Sequence, residues 1–165
     1  GRYGYPYYNT DRVRKELAGM EAATRQAEDY GRGIYTAEFS RRTYQELLDR
    51  AAEDLDAGSP GVVLDGSYHS RDEQERIRRL SAEKGAACVF ILCWCCDEEV
   101  QRRLDIRARD PEAVSDGRWE IYQQQKRAFQ IPDDLQPCRL VRLNTEKAVE
   151  RLLDDLAGTL SGREG

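Results

Sequence analysis

The chain has 165 residues and a mass of 19.0 kDa, which suits a single domain over its whole length. Hydrophobic residues make up 39% and charged residues 35%, and apolar runs such as residues 61–64 argue against disorder. The net charge of -5 disfavours nucleic acid as a partner bound through bulk positive charge. No apolar run approaches the roughly 20 residues needed to cross a membrane.

Hydrophobic periodicity predicts strands that alternate with helices along the chain. The predicted strands, in chain order, are residues 5–9, 62–64, 88–93 and 139–143. The predicted helices have apolar positions at helical spacing within residues 11–18, 44–55, 71–84, 97–104, 119–129 and 149–160. A polar stretch over residues 22–33 predicts a connection. The order β-α-α-β-α-β-α-α-β-α is typical of a parallel α/β sheet with helices on both faces, in three layers.

Capping residues and glycines mark the ends of the predicted helices. Ser70 and Glu73 have the spacing of a capping box at the start of the third helix. The glycines predicted to end the first three helices are Gly19, Gly58 and Gly85. The caps predicted for the remaining helices are Asp97, then Ser115 or Asp116, then Thr145.

Cysteines are unusually clustered in this sequence. The five are Cys88, Cys93, Cys95, Cys96 and Cys138. An odd number in a chain of this size excludes a simple disulfide framework and indicates buried or half-buried reduced thiols in a cytoplasmic protein. A metal or redox site is the alternative, although the Cys93-x-Cys95-Cys96 spacing is not the usual C-x-x-C.

Residues that follow the strands are the candidate functional residues, because ligands of parallel α/β sheets bind beyond the carboxyl ends of the strands. After the first strand, Asp11 and Arg14 lie three residues apart and share one face of a helix. Asp11 can take a proton from a hydroxyl while Arg14 holds an anion. The alternative is an aspartate favoured by the helix dipole beside solvated basic neighbours.

The second strand is wholly apolar, so we expect it to be buried on both faces of a parallel sheet. It ends at Asp65, as in a Walker B strand, whose terminal carboxylate holds hydrated Mg²⁺. Many buried strands end in the same way, so a structural aspartate is the alternative. Arg71 follows this strand and is a candidate substrate-binding residue. His69 is the single histidine, and we expect it to be structural or merely exposed.

Arg103 and Arg107 lie on one helical face after the third strand. Paired guanidinium groups on a mobile segment suit a transferring phosphoryl group, because each binds its oxygens bidentately. We therefore predict that residues 103–116 form a lid. The alternative is a solvated helix face on which Glu99 pairs with Arg103.

Together these segments resemble the AAA-type P-loop kinase-like proteins, which are related to gluconate kinases, polynucleotide kinase domains, chloramphenicol phosphotransferase and zeta toxins. The matching segments, in order, are residues 10–19, 33–36, 42–44, 62–68, 103–107 and 114–116. The resemblance implies ATP, Mg²⁺ and transfer of the γ-phosphoryl group to a hydroxyl of a small molecule or nucleotide sugar. It also implies an aminoglycoside-phosphotransferase-like domain, to which members of this family are often fused.

The resemblance assigns roles to the residues already singled out. Asp11 matches the carboxylate that activates the acceptor, and Arg14 matches a substrate-binding arginine. Asp65 matches the Walker B aspartate that binds the nucleotide's Mg²⁺. Arg103 and Arg107 match the lid arginines.

The sequence departs from this family at the phosphate loop. The motif G-x-x-x-x-G-K-S/T is absent, as is any Gly-Lys dipeptide. In the related kinases the strand before this loop lies in the middle of the sheet, in the order 2-3-1-4-5, so its loss leaves unpaired backbone groups. We therefore expect a kinase-like domain that lacks about 30 residues of strand, loop and helix at its amino terminus.

Two alternatives to a kinase domain remain open. The first is a degenerate, non-catalytic binding or regulatory module whose strands close into a four-stranded sheet. The second is a redox or metal module built on the cysteines.

Overall fold

The computed structural model describes residues 4–21, 33–110, 118–130 and 136–160. Its strands are β1 (Tyr7–Asn9), β2 (Val63–Asp65), β3 (Val89–Trp94) and β4 (Arg139–Asn144). Its α-helices are α1 (Thr10–Leu17), α2 (Ala37–Asp56), α3 (Arg71–Glu83), α4 (Asp97–Ala108), α5 (Trp119–Ala128) and α6 (Val149–Leu160). A 3₁₀ turn, Gly33–Tyr35, precedes α2. The predicted order of strands and α-helices is confirmed.

The described strands form two parallel two-stranded sheets. In the first, β1 pairs with β2 so that Tyr7 lies opposite Val63 and Asn9 opposite Asp65. In the second, β3 pairs with β4 over the full length of both strands. The chain is thus a mixed α/β fold with parallel strands, and the described strands do not close into one four-stranded sheet.

Strands β2 and β3 are only partly covered. Val63 in β2 and Ile91 in β3 each leave 43% of their surface exposed. The expectation that β2 is buried on both faces is therefore wrong. A strand is buried in that way when it has a paired neighbour on each edge and a layer on each face, and among the described strands β2 pairs with β1 alone.

The best-buried core lies where α1 packs against α2. Its buried apolar side chains include Val13, Tyr44, Leu47, Leu48 and Ala51. Leu47 is fully buried, with 0% exposure, and Lys15 and Thr43 are equally buried beside this core. No helix in the described part of the chain is long and apolar enough to span a bilayer.

The helix boundaries confirm some predicted caps and correct others. The Ser70–Glu73 capping box is present, and the three glycines predicted as helix ends have positive φ angles of 68°, 88° and 61°. Asp97 lies in the first turn of α4, and Cys96 is the N-cap. The N-cap of α5 is Arg118, and residues 115 and 116 fall outside the described residues. The prediction for Thr145 is also wrong, because α6 begins only at Val149.

Candidate functional site

The carboxyl ends of β1 and β2 lie side by side and bring two predicted site segments together. Asn9 is the last residue of β1 and caps α1, because its Oδ1 accepts the backbone N–H groups of Asp11 and Arg12, each at 3.1 Å. The Nδ2 of Asn9 donates to Oδ2 of Asp65 at 2.8 Å. One amide side chain therefore links the helix that carries Asp11 to the aspartate at the tip of β2.

Asp65 is exposed, and the hydrogen bonds that it accepts from described residues are to one carboxylate oxygen, Oδ2. Tyr7 donates its hydroxyl to Oδ2 of Asp65 at 2.5 Å, and Asn9 donates to the same oxygen. No hydrogen bond to Oδ1 is found among the described residues. A fixed carboxylate with one open oxygen fits a hydrated Mg²⁺, which prefers oxygen ligands and keeps several of its waters. Burial, followed by the hydrogen bond and charge of Asp65, raises the pKa of Tyr7.

Arg14 is the most unusual residue of this region. Only 7% of its surface is exposed, its Nη1 lies 3.8 Å from Oδ1 of Asp11, and its guanidinium group stacks 4.9 Å from the centre of the Tyr35 ring. Its Nε is buried without a hydrogen-bond partner among the described residues. A buried cation with one loosely placed carboxylate is poorly compensated, so the site fits a second anion.

The loop after β2 forms an aromatic and polar wall. The Tyr44 hydroxyl lies 3.0 Å from Oγ of Ser67, and the rings of Tyr44 and Tyr68 lie 5.0 Å apart. Tyr68 has a φ of 38°, and its buried hydroxyl has no partner among the described residues. Burial raises the pKa of both tyrosines, so their hydroxyls remain protonated donors. The sequence predicts no functional role for Tyr44, Ser67 or Tyr68, although each lies in a segment that carries the family resemblance.

His69 contacts two polar groups through one nitrogen. Its Nδ1 lies 3.2 Å from Oγ of Ser67 and 3.9 Å from Oε2 of Glu73. A serine–histidine–acid triad uses both ring nitrogens, one for the serine and one for the acid. This geometry is therefore not a nucleophilic triad. The histidine is half-buried, and its backbone carbonyl accepts from the N–H of Gln130 at 3.1 Å, in line with a structural role.

Arg103 is fully engaged by its own neighbours. Its Nη1 donates to Oγ1 of Thr145 at 2.9 Å and its Nη2 to the carbonyl oxygen of Thr145 at 2.6 Å. Its Nε donates to Glu99 at 2.6 Å. The hydrogen bonds from Arg102 and Arg103 lower the pKa of Glu99 to about 2. In this arrangement Arg103 ties α4 to the end of β4.

The other basic candidates lie on helix surfaces. Arg107 is exposed near the end of α4, and Arg71 is exposed at the first residue of α3. Both make contacts within the protein. Of the predicted lid, residues 111–116 lie outside the described residues, so the lid stays a prediction.

The cysteines do not assemble into a metal site in the described structure. Cys93 and Cys96 are exposed, Cys88 and Cys95 are intermediate, and only Cys138 is buried. The expectation that all are at least half-buried is wrong for the two exposed thiols. No cluster of three or more candidate ligands occurs among the described residues.

Comparisons with known proteins agree with this architecture. Residues 3–132 match the AAA domain family. A candidate kinase from Chloroflexus aurantiacus, of known crystal structure, superposes with a TM-score of 0.61 over 97% of this chain and 84% of its own, at 14% sequence identity. No curated protein sequence matches the chain. The chain therefore belongs to the AAA domain family and has a P-loop kinase-like fold.

Proposed function

We propose that this domain is an ATP-dependent phosphotransferase, which passes the γ-phosphoryl group to a hydroxyl of a small molecule. The observation that carries the proposal is the pairing of Asn9 with Asp65. It sets Asp11, the predicted acceptor base, and Asp65, the predicted magnesium ligand, at neighbouring strand ends. Phosphoryl transfer needs both functions at one edge of the sheet.

Each residue of the site has a distinct role in this proposal. Asp11 accepts the proton of the acceptor hydroxyl as the oxygen attacks phosphorus. Arg14 binds an anionic group of the acceptor, which supplies the hydrogen-bond partner that its buried Nε lacks among the described residues. Asp65 holds Mg²⁺, which would neutralise charge on the phosphate oxygens when bound. Arg71 is proposed to bind substrate, and Arg107 and a released Arg103 to contact the transferring group.

We also propose that a strand carrying the G-x-x-x-x-G-K-S/T loop fits between β2 and β3. Cys88 and Trp94 accept hydrogen bonds from residues at the ends of β4, so the intervening residues Ile91 and Cys93 direct backbone groups toward the opposite edge. Burial, followed by the charge of Asp65, raises the pKa of Cys93, which supports a location of the carboxyl end of β3 within electrostatic reach of that of β2. The Chloroflexus protein leaves 16% of its length unmatched by this chain, enough for such a segment.

The test is transfer of phosphate from labelled ATP to a panel of hydroxylated small molecules. It uses the polypeptide as encoded, including any residues that precede Gly1 and any fused domain. Asp11→Asn should lower kcat by about 10²–10⁴-fold without changing ATP affinity, whereas Asp72→Asn, at an exposed position in the first turn of α3, should have little effect. Equal kcat values for Asp11→Asn and wild type would refute the assigned base. No transfer to any acceptor would refute the proposed activity.

The phosphate-loop proposal has its own test. Ligands that bind the native state raise the thermal midpoint. Mg·ATP should therefore stabilise a form that contains the loop by several degrees and leave the 165-residue chain unchanged. Stabilisation of the 165-residue chain by Mg·ATP would show that the loop is not needed for binding.

A non-catalytic binding or regulatory module is the second candidate. The engagement of Arg103 by Thr145 favours it, because an arginine held in this way does not reach a phosphoryl group. This function predicts that the polypeptide as encoded gains no stability from Mg·ATP.

A further inference from the structure

Two cysteines occupy neighbouring positions at the amino ends of β3 and β4. Val89 pairs with Arg139 at the start of the second sheet, so Cys88 and Cys138 occupy the preceding position on neighbouring strands. The N–H of Arg139 donates to the carbonyl of Cys88 at 3.0 Å, which continues the ladder to this position. Neighbouring strands lie about 4.8 Å apart, within the Cα separation of roughly 4.4–6.8 Å that a disulfide spans.

The side chains of this pair lie on the same face of the sheet, because residues opposite each other on parallel strands point to the same side. The Cys138 thiol and the Ser81 hydroxyl both act on the pKa of the Cys88 thiol, so both lie near it. Cys138 is 5% exposed, whereas Cys88 is partly open to solvent. Cys88 is therefore the more accessible of the two to a small reagent, and Cys138 is its buried neighbour.

We propose that Cys88 and Cys138 are a modification site, a dithiol that small peroxides convert to a disulfide. The Cys88 thiolate attacks one peroxide oxygen, the O–O bond breaks, and Cys88 becomes a sulfenic acid while the first water leaves. The sulfur of Cys138 then attacks the sulfur of Cys88, the S–O bond breaks and the second water leaves. Two thiols are oxidised to one disulfide, and one hydrogen peroxide is reduced to two waters.

This pair responds to sustained rather than brief oxidation. Burial, followed by the neighbouring Cys138 thiol, raises the pKa of Cys88 to about 12. The reactive thiolate is therefore scarce at neutral pH. The disulfide would close a loop of about 50 residues and raise the thermal midpoint by about 10 °C. It would form at the amino ends of β3 and β4, whereas the candidate site lies at the carboxyl ends of β1 and β2.

The experiment treats the reduced full chain with hydrogen peroxide, blocks the remaining thiols and maps peptides without reduction. A matched variant with Cys93, Cys95 and Cys96 replaced by serine removes the other thiols. We expect a cross-linked peptide pair containing Cys88 and Cys138 in both proteins, with a rise in thermal midpoint that dithiothreitol reverses.

Two single variants complete the test. Cys138→Ser should abolish the rise and leave Cys88 as a sulfenic acid that dimedone traps, and Cys88→Ser, at the less buried position, should abolish the rise as well. Recovery of Cys88 and Cys138 as free thiols after prolonged treatment would overturn the proposal. A rise in thermal midpoint that persists in either single variant would also overturn it.

Discussion

Arg103 offers a direct test of what holds α4 against β4. Replacing it with alanine removes two hydrogen bonds to Thr145 and one to Glu99. Hydrogen bonds from charged groups contribute about 1.5–3 kcal/mol when buried. The Arg103 side chain is 38% exposed, so solvent screening reduces each contribution. We expect Arg103→Ala to lower the free energy of unfolding by about 2 kcal/mol.

Arg102 is the matched control, because it bonds to the same Glu99 but has no bond to Thr145 and its side chain is 61% exposed. Arg102→Ala should lower the urea midpoint much less than Arg103→Ala, because solvent screens this exposed pair. Urea unfolding measures the stability of both arginine variants, and a loss of about 2 kcal/mol corresponds to a midpoint about 1 M lower. Thr145→Ala combined with Arg103→Ala gives the coupling energy of the pair. Equal midpoints for the two arginine variants would refute the tether and leave Arg103 free for a role in the lid.

Three further predictions concern the core, the site loop and alkaline pH. Leu47→Ala, at a position with 0% exposure, should lower stability by about 2–5 kcal/mol in urea unfolding. Gly66→Ala should lower it by about 1–3 kcal/mol, because the new Cβ would lie 2.5 Å from a carbon of Thr10, whereas Gly61→Ala meets only ordinary contacts at 3.5 Å and serves as control. The folded-state pKa of Cys88, raised to about 12, favours the protonated thiol, so its contribution is present below pH 9 and is lost between pH 9 and 12. A Cys88→Ser variant should therefore lose stability less steeply over that range in thermal unfolding.

The helices are the part of the fold that the sequence predicts best, because their signals are local. The apolar spacing from Tyr44 to Leu55 locates most of α2, and Gly58 marks its end. The first two turns were missed because they lack that spacing. They form because Oγ1 of Thr36 accepts the N–H of Phe39 at 3.2 Å and caps the helix.

Caps that depend on distant partners could not be predicted in this way. Thr145 has the side chain of a good N-cap, yet its hydroxyl accepts from Arg103, which lies 42 residues earlier, and donates to the carbonyl of Trp94. A hydroxyl held by partners across the fold is drawn away from capping a local helix end. The sequence carries no signal for that competition.

The sequence predicts only part of the candidate site, again because some of its contacts join residues that are distant along the chain. Asp11 and Asp65 follow adjacent strands in the alternating order, so their placement at one edge follows from topology. Tyr7 was missed because its partner, Asp65, lies 58 residues away and the contact depends on strand register. Tyr68 was missed because its positive φ has no sequence signal in a residue other than glycine, asparagine or aspartate.

Strands β2 and β3 have the composition of strands buried on both faces, which the two described sheets do not provide. Strands with a solvated face alternate apolar and polar residues, whereas strands buried on both faces are apolar throughout. Residues 62–64 and 89–92 are apolar throughout, yet Val63 and Ile91 are each 43% exposed. Among the described strands, β2 pairs only with β1 and β3 only with β4, so each has an edge without a described partner. Their apolar character is therefore accounted for if a further strand pairs with these two edges, as the proposed phosphotransferase requires.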